Sequence, residues 1–96
     1  MNKYTFRTEC AIDSENVPAL LELIGVEMLE EKTLKDSLCD AWEMGQFTFL
    51  SKTDDLEIMR RVLANAINYN EELFPDMHRC WQTLEKGSKP NNEWYL

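Results

Sequence analysis

Two short segments with alternating side chains constrain the fold more than any other feature of the sequence. In KYTFRTECA, residues 3–11, the aromatic side chains alternate with polar ones. Tyr4 and Phe6 fall on one side of the extended chain, and Arg7 falls on the other. The segment QFTFLS, residues 46–51, repeats this alternation. A period of two residues is typical of a β-strand with one buried face, so the sequence predicts two such strands.

Helical patterns follow both strands. After the capping residues DSEN, apolar residues recur at helical spacing from Val17, and Pro18 suits the first turn. Gly25 is a stop signal for this first helix. A longer helix is predicted after the turn KTDD and runs to about Asn70, with a wide apolar stripe that indicates contact with several neighbours.

Two further helices are predicted from local patterns of apolar and capping residues. The second helix of the chain is expected from Thr33 to Gly45. The fourth is expected after Pro75, where apolar residues stand at i, i+3, i+4 and i+7 before Gly87. Residues 26–32, VEMLEEK, remain ambiguous, because they fit an extension of the first helix, the start of the second, or a separate helical turn.

These elements predict a single compact α+β domain over residues 1–87, in the order β-α-α-β-α-α. About four helices are expected to pack on a small two-stranded sheet, and the alternative is a three-stranded sheet that gains a strand from the tail or from a second copy of the chain. Residues 88–96 are predicted to form this C-terminal tail, which either docks or binds a partner. The two halves resemble each other loosely, which raises the hypothesis of a weak internal duplication, although chance similarity between short segments explains it more simply.

The net charge excludes several classes of partner. The chain has 18 acidic and 10 basic residues, a net charge of −8. This charge repels phosphate backbones and anionic membrane surfaces, so we expect neither nucleic acid nor membrane as a direct partner. No segment approaches the run of about 18 apolar residues that a membrane-spanning helix needs. A basic protein surface is the favoured partner.

The cysteines and the single histidine give little indication of chemistry. Cys10, Cys39 and Cys80 are odd in number and widely spaced, which favours reduced thiols and a cytoplasmic location. On a helix, His78 and Cys80 would point in different directions, so neither a metal site nor a nucleophile–base pair is indicated. The sequence therefore predicts a protein that is not an enzyme and that binds no metal or cofactor.

Acidic residues are concentrated in one part of the chain. Residues 9–57 contain thirteen acidic and three basic residues, whereas residues 58–96 are balanced. Like charges repeated at helical spacing repel each other, so their retention favours a role in meeting a basic partner. A role in solubility alone is the plain alternative. The predicted partner-binding residues are Glu27, Glu30, Glu31, Asp36, Asp40, Glu43, Trp94 and Tyr95.

These features favour a small acidic non-catalytic binding protein. The first hypothesis is a stoichiometric inhibitor that covers a basic surface of a nucleic-acid-handling protein through an acidic helical face. In size and charge the chain is similar to phage-encoded anti-defence proteins such as anti-CRISPRs and DNA mimics, although no motif identifies a family. An immunity or antitoxin-like protein that neutralises a basic toxin would need the same surface. A small enzyme or ligand-binding module is the third alternative, and a homodimer is compatible with all three.

Overall fold

The computed structural model describes residues 1–9, 13–35, 43–77, 81–87 and 93–95, which form five strands and two α-helices. The strands are β1 (Asn2–Thr8), β2 (Glu27–Lys35), β3 (Glu43–Ser51), β4 (Trp81–Lys86) and β5 (Glu93–Tyr95). The helices are α1 (Val17–Leu23) and α2 (Leu56–Tyr69), and a short 3₁₀ helix (Asp13–Asn16) precedes α1. Within these ranges no helix has the length and apolar character needed to cross a bilayer.

All five strands join in one antiparallel sheet with the spatial order β2-β3-β1-β4-β5. β1 is central, pairing with β3 along its whole length and with β4 from Tyr4 to Thr8. Because β1 and β2 are both antiparallel to β3, they run parallel to each other, and α1 connects them. In the same way, α2 connects the parallel strands β3 and β4. This β-α-β-β-α-β arrangement is the ferredoxin-like fold, to which β5 adds a short fifth strand.

The predicted fold class is wrong in its balance of helices and strands. A five-stranded sheet replaces the two or three expected strands, and the described residues form two α-helices where about four were expected. The second predicted helix, Thr33 to Gly45, begins within β2 and ends within β3. The C-terminal half of the fourth predicted helix is β4.

β2 is a strand against its local preference. Its sequence, EMLEEKTLK, is rich in Glu, Lys, Leu and Met, which favour helix over strand. Pairing with β3, from Glu27 opposite Leu50 to Lys35 opposite Glu43, supplies backbone hydrogen bonds that local sequence does not reveal. Pairing with a neighbouring strand therefore outweighs helix propensity in this segment.

Two glycines explain how the 3₁₀ helix and α1 fit against the sheet. Gly25 has the predicted role, since it follows α1 with φ +77° and donates its N–H to the Glu22 carbonyl oxygen. Gly45 does not end a helix but lies inside β3. A Cβ atom at Gly45 would come within 2.9 Å of the Ser14 Cβ atom, so the 3₁₀ helix can approach the strand only at a glycine.

A single apolar core fills the space between the two helices and one face of the sheet. Tyr4 and Phe6 of β1 lie directly opposite Phe49 and Phe47 of β3, and Leu84 of β4 flanks Phe6 on the other side. The rings of Tyr4 and Phe49 stack with centroids 5.6 Å apart. The other buried core residues are Val17, Leu20, Leu21, Met59, Leu63, Ile67, Phe74 and Met77.

A buried carboxylate ties the 3₁₀ helix to the segment that precedes β4. Asp13 Oδ2 accepts hydrogen bonds from the backbone N–H groups of Asp76 and Met77, each at 2.7 Å. Because Asp13 is buried, these two bonds replace the water that the carboxylate gives up on folding. The sequence indicates only a local capping role for residues 13–16, so this long-range contact is a finding of the structure.

Replacement of Leu63 by alanine tests the assignment of the core face of α2. Leu63 is fully buried, and loss of a buried leucine side chain costs about 2–5 kcal/mol. We expect the free energy of unfolding, measured by urea titration, to fall by that amount. Ile58→Ala, on the exposed side of the same helix, is the control and should change it by less than about 1 kcal/mol. Equal losses in both variants would mean that α2 packs differently.

Tyr4 gives the fold a sensitivity to high pH. Its hydroxyl donates to the Thr53 carbonyl oxygen at 2.6 Å. Burial raises the pKa of Tyr4, and the nearby carboxylates of Asp54 and Asp55 raise it further. The contribution of the protonated Tyr4 hydroxyl to the free energy of unfolding is therefore complete below the unfolded-state pKa of about 10. It is lost as the pH rises through the folded-state pKa.

We expect the unfolding free energy of the wild type to decline above about pH 10 more steeply than that of Tyr4→Phe. The variant loses the hydrogen bond to Thr53, so its curve should start lower. Urea titrations at several alkaline pH values measure both curves. Parallel declines would contradict the proposed effect of Tyr4 burial.

Candidate functional site

The face of the sheet opposite the core is polar, and both described helices pack on the other side. We call it the open face. Strand alternation and register place on it Lys3, Thr5, Arg7, Glu27, Glu30, Lys32, Gln46, Thr48, Leu50, Thr83 and Glu85. Three of these eleven residues are acidic and three are basic, so their charges balance although the whole chain is strongly acidic.

Arg7 stands at the centre of the open face. Its Nε donates to Gln46 Oε1 at 2.8 Å, across the β1–β3 pair. Its guanidinium also forms a hydrogen-bonded ion pair with Glu85 of β4. Both members of this ion pair are largely buried, with 25% and 19% of their side-chain surfaces exposed, so solvent screens the pair less than an ion pair at the rim.

Threonines form the floor around Arg7. Thr5, Thr48 and Thr83 are only 6–8% exposed, although no described helix lies over them. The Thr83 hydroxyl oxygen is buried and has no hydrogen-bond partner in the described part of the chain, and its residue is directly opposite Arg7 in the sheet. A buried polar atom without a partner costs about 1–3 kcal/mol, so Thr83 marks a place where bonding capacity is left unused.

Among the described residues Gln82 also carries a buried polar atom without a partner, its Oε1, but this residue belongs to the core face. Its Nε2 donates to the Met77 carbonyl oxygen at 2.9 Å, which fixes the side chain against the segment before β4. We therefore assign Gln82 a structural role and leave it outside the candidate site.

The predicted acidic partner-binding residues are not gathered on one helix. Glu27 and Glu30 lie on the open face of β2, because a β-bulge between Met28 and Glu30 shifts the alternation there. Glu31 lies on the opposite side of the same strand, since its Cα is opposite Phe47 of the core face. Asp36 and Asp40 lie outside the described residues. Glu43 belongs to β3, where its backbone pairs with that of Lys35.

Several acids have basic neighbours within the chain. Glu30 pairs with Lys32 at 3.2 Å on β2. On α2, Glu57 accepts a hydrogen bond from the Arg60 guanidinium, which lowers the pKa of Glu57, and Arg61 approaches the same carboxylate at 3.4 Å. These pairs weaken the local field that the sequence hypothesis assigned to the acidic residues.

The aromatic tail residues are part of the sheet. Trp94 and Tyr95 lie in β5, where their backbones pair with Gln82 and Trp81 of β4. Whether they also contact a partner stays a prediction. Cys10, Cys39, Cys80 and His78, which the sequence raised as potential metal ligands, lie outside the described residues. Among the residues that are described, no group of three His, Cys, Asp or Glu side chains could hold a metal ion.

Sequence reasoning missed the residues at the centre of the open face. The alternation in residues 3–11 does separate Arg7 from Tyr4 and Phe6, so one signal was available. The sequence does not place Glu85 and Thr83 beside Arg7, because the apolar pattern of their segment predicts a helix. The pairing of β1 with β4 joins residues almost a whole chain length apart, and no local pattern predicts it.

Comparison with known proteins adds a likeness in fold. No known protein family and no curated protein matches the chain. The crystal structure of formyltetrahydrofolate deformylase from Burkholderia mallei ATCC 23344 matches 90% of this chain with a TM-score of 0.55 and 12% sequence identity. The chain spans 28% of the length of that protein. At this identity the likeness concerns the fold alone.

A double-mutant cycle on Arg7 and Glu85 tests the geometry of the open face. We expect Arg7→Gln and Glu85→Gln to be coupled by about 1–2 kcal/mol in unfolding free energy, because the two side chains touch and are largely shielded from water. The exposed pair Glu30 and Lys32 is the control, and its coupling should be clearly smaller. Equal coupling energies in the two pairs would mean that solvent screens Arg7 and Glu85 as fully as it screens Glu30 and Lys32.

Proposed function

We propose that this chain is a non-catalytic module that binds a small polar acid on the open face of its sheet. The observation that carries the proposal is the unused hydrogen-bonding capacity beside Arg7, above all the buried Thr83 hydroxyl without a partner. Native proteins satisfy most buried polar groups, and those left over call for an explanation. A ligand that bonds to Arg7 and, by moving aside the groups that shield it, to the Thr83 hydroxyl would supply one.

The chemistry of the two side chains defines the ligand class. A guanidinium has five N–H donors, and the bonds to Gln46 and Glu85 use two of them. A carboxylate or phosphate is the group that such a fork binds best. The Thr83 hydroxyl can both donate and accept a hydrogen bond, and the Glu85 carboxylate favours a hydrogen-bond donor on the ligand. The expected ligand is therefore a small acid that also carries an amino or hydroxyl group.

A module, as opposed to a complete enzyme, is consistent with the likeness in fold. The matched deformylase is a much longer chain, of which this chain spans 28%. A ferredoxin-like unit of this size supports many functions, so the likeness by itself carries neither the activity nor the substrate of that protein. The proposal rests on the open face, and the likeness only agrees with an accessory role.

The inhibitor hypothesis has less support from the geometry. It required an acidic helical face, whereas Glu27, Glu30 and Glu31 occupy a strand and divide between its two sides. The ion pair between Glu30 and Lys32 reduces the local charge further. Nothing in the described part of the chain favours an inhibitor or an immunity protein over an acidic surface that serves solubility.

Ligand-induced stabilisation tests the proposed function. We would screen small carboxylic and phosphoric acids that carry amino or hydroxyl groups, using the melting temperature as the readout. A ligand present at 100 times its Kd should raise the melting temperature by roughly 10–20 °C. Arg7→Met keeps the aliphatic stem but removes the fork, and it should abolish this shift. Arg61→Met, at an exposed site on α2, is the matched control.

Thr83→Val separates ligand binding from simple stability. The variant removes the buried hydroxyl without a partner, so the free protein should be as stable as the wild type or more stable. Its affinity for the ligand should nevertheless fall. A ligand that binds Arg7→Met as tightly as the wild type, or that shifts amide resonances of α2 and not those of β1 and β4, would contradict the proposed site.

A further inference from the structure

The two edges of the sheet differ in length. β5 closes one edge with three residues, which is typical of an edge that is protected from other chains. β2 forms the other edge with nine residues, longer than an average strand. In the described part of the chain nothing pairs with the outer side of β2, so alternate backbone N–H and C=O groups of this strand face outward.

Apolar side chains are exposed next to this edge. Met28 and Leu29 of β2 are 40% and 49% exposed, and Leu23 at the end of α1 is 66% exposed. These three residues lie within seven positions of one another, on α1 and the strand that follows it. An edge strand with free backbone groups and neighbouring apolar side chains is a surface on which another strand can dock.

The charges on β2 restrict which strand would fit. Glu30 and Lys32 both lie on the open face, both are about half exposed, and they form an ion pair. If a second β2 runs antiparallel with Glu31 as the centre of symmetry, Glu30 of each copy stands opposite Lys32 of the other. Opposite charges directly across an antiparallel pair are favourable. The charges of Glu30 and Lys32 are therefore complementary to those of β2 in a second copy of the chain.

We propose that two copies of this chain associate through antiparallel pairing of their β2 strands, giving one continuous ten-stranded sheet. The interface would be isologous, as a two-fold axis requires. The four charges of Glu30 and Lys32 alternate in sign at the junction of the two open faces. At physiological salt the Debye length is about 8 Å, so this local arrangement matters more than the net charge of the two copies. The ligand site around Arg7 is not needed for this association.

The same register carries one unfavourable contact. Glu31 is opposite its own equivalent on the core-face side, and like charges directly opposite each other weaken a strand pair. The dimer is therefore expected to be weak enough to dissociate on dilution. Removal of the Glu31 charge should tighten it, which is a signature of this register and not of edge pairing in general.

Charge exchange within β2 tests the identity of the partner. Sedimentation velocity over a wide concentration range should give a monomer–dimer equilibrium for the wild type. Lys32→Glu places two acids opposite each other twice and should weaken the dimer roughly tenfold or more. Addition of Glu30→Lys to Lys32→Glu restores complementary pairs between copies and should restore the dimer. If the partner on this edge were a different protein, its charges would stay unchanged, and the double exchange would not restore binding.

Glu31→Gln provides the second readout, with dimerisation expected to strengthen. Circular dichroism and melting temperatures establish that the exposed substitutions leave each monomer folded. A wild type that stays monomeric at all concentrations would overturn the proposal. So would a dimer that Lys32→Glu leaves unchanged, a double exchange that fails to restore it, or a Glu31→Gln variant that does not tighten it.

Discussion

The pairing of β1 on both sides holds this molecule together. β3 pairs with one edge of β1 and β4 pairs with the other. The first strand of one β-α-β unit therefore lies between the two strands of the other unit. The alternation of β1 then divides its side chains between two tasks. Tyr4 and Phe6 enter the core beneath the helices, while Arg7 is held on the opposite face by Gln46 and Glu85. Stability and the proposed ligand site therefore depend on the same seven residues.

The elements that could be predicted are those whose local signals agree with their final contacts. β1 and β3 alternate clearly, and Gly25 follows α1 as predicted. α2 begins after the predicted turn, although its cap is Asp55, whose side chain accepts from the Ile58 N–H, and not Asp54 as the spacing to Glu57 predicts. β2 was missed because its Glu-, Leu- and Lys-rich sequence favours helix, and pairing with β3 decides otherwise. For the site, Arg7 was visible as the outward side of an alternation, but its partner Glu85 depends on a contact between distant segments.

The halves of the fold clarify the apparent sequence repeat without establishing its origin. The similar segments around Tyr4 and Phe47 are β1 and β3, and each opens one of the two interleaved β-α-β units. The second and fourth predicted helices contain residues of β2, β3 and β4 instead. Any sequence that alternates in this way at both starting strands would show the same likeness, so topology alone accounts for that part of the resemblance.

The order of the strands has a consequence for synthesis on the ribosome. β1 emerges first, but its two neighbours begin only at residues 43 and 81, and the Asp13 carboxylate finds its amide donors at residues 76 and 77. The nascent chain must therefore carry Tyr4 and Phe6 incompletely shielded until β4, which begins at residue 81, has been made. Such distant contacts slow folding. They also leave apolar segments open to aggregation, so chaperones would have their greatest effect during this interval.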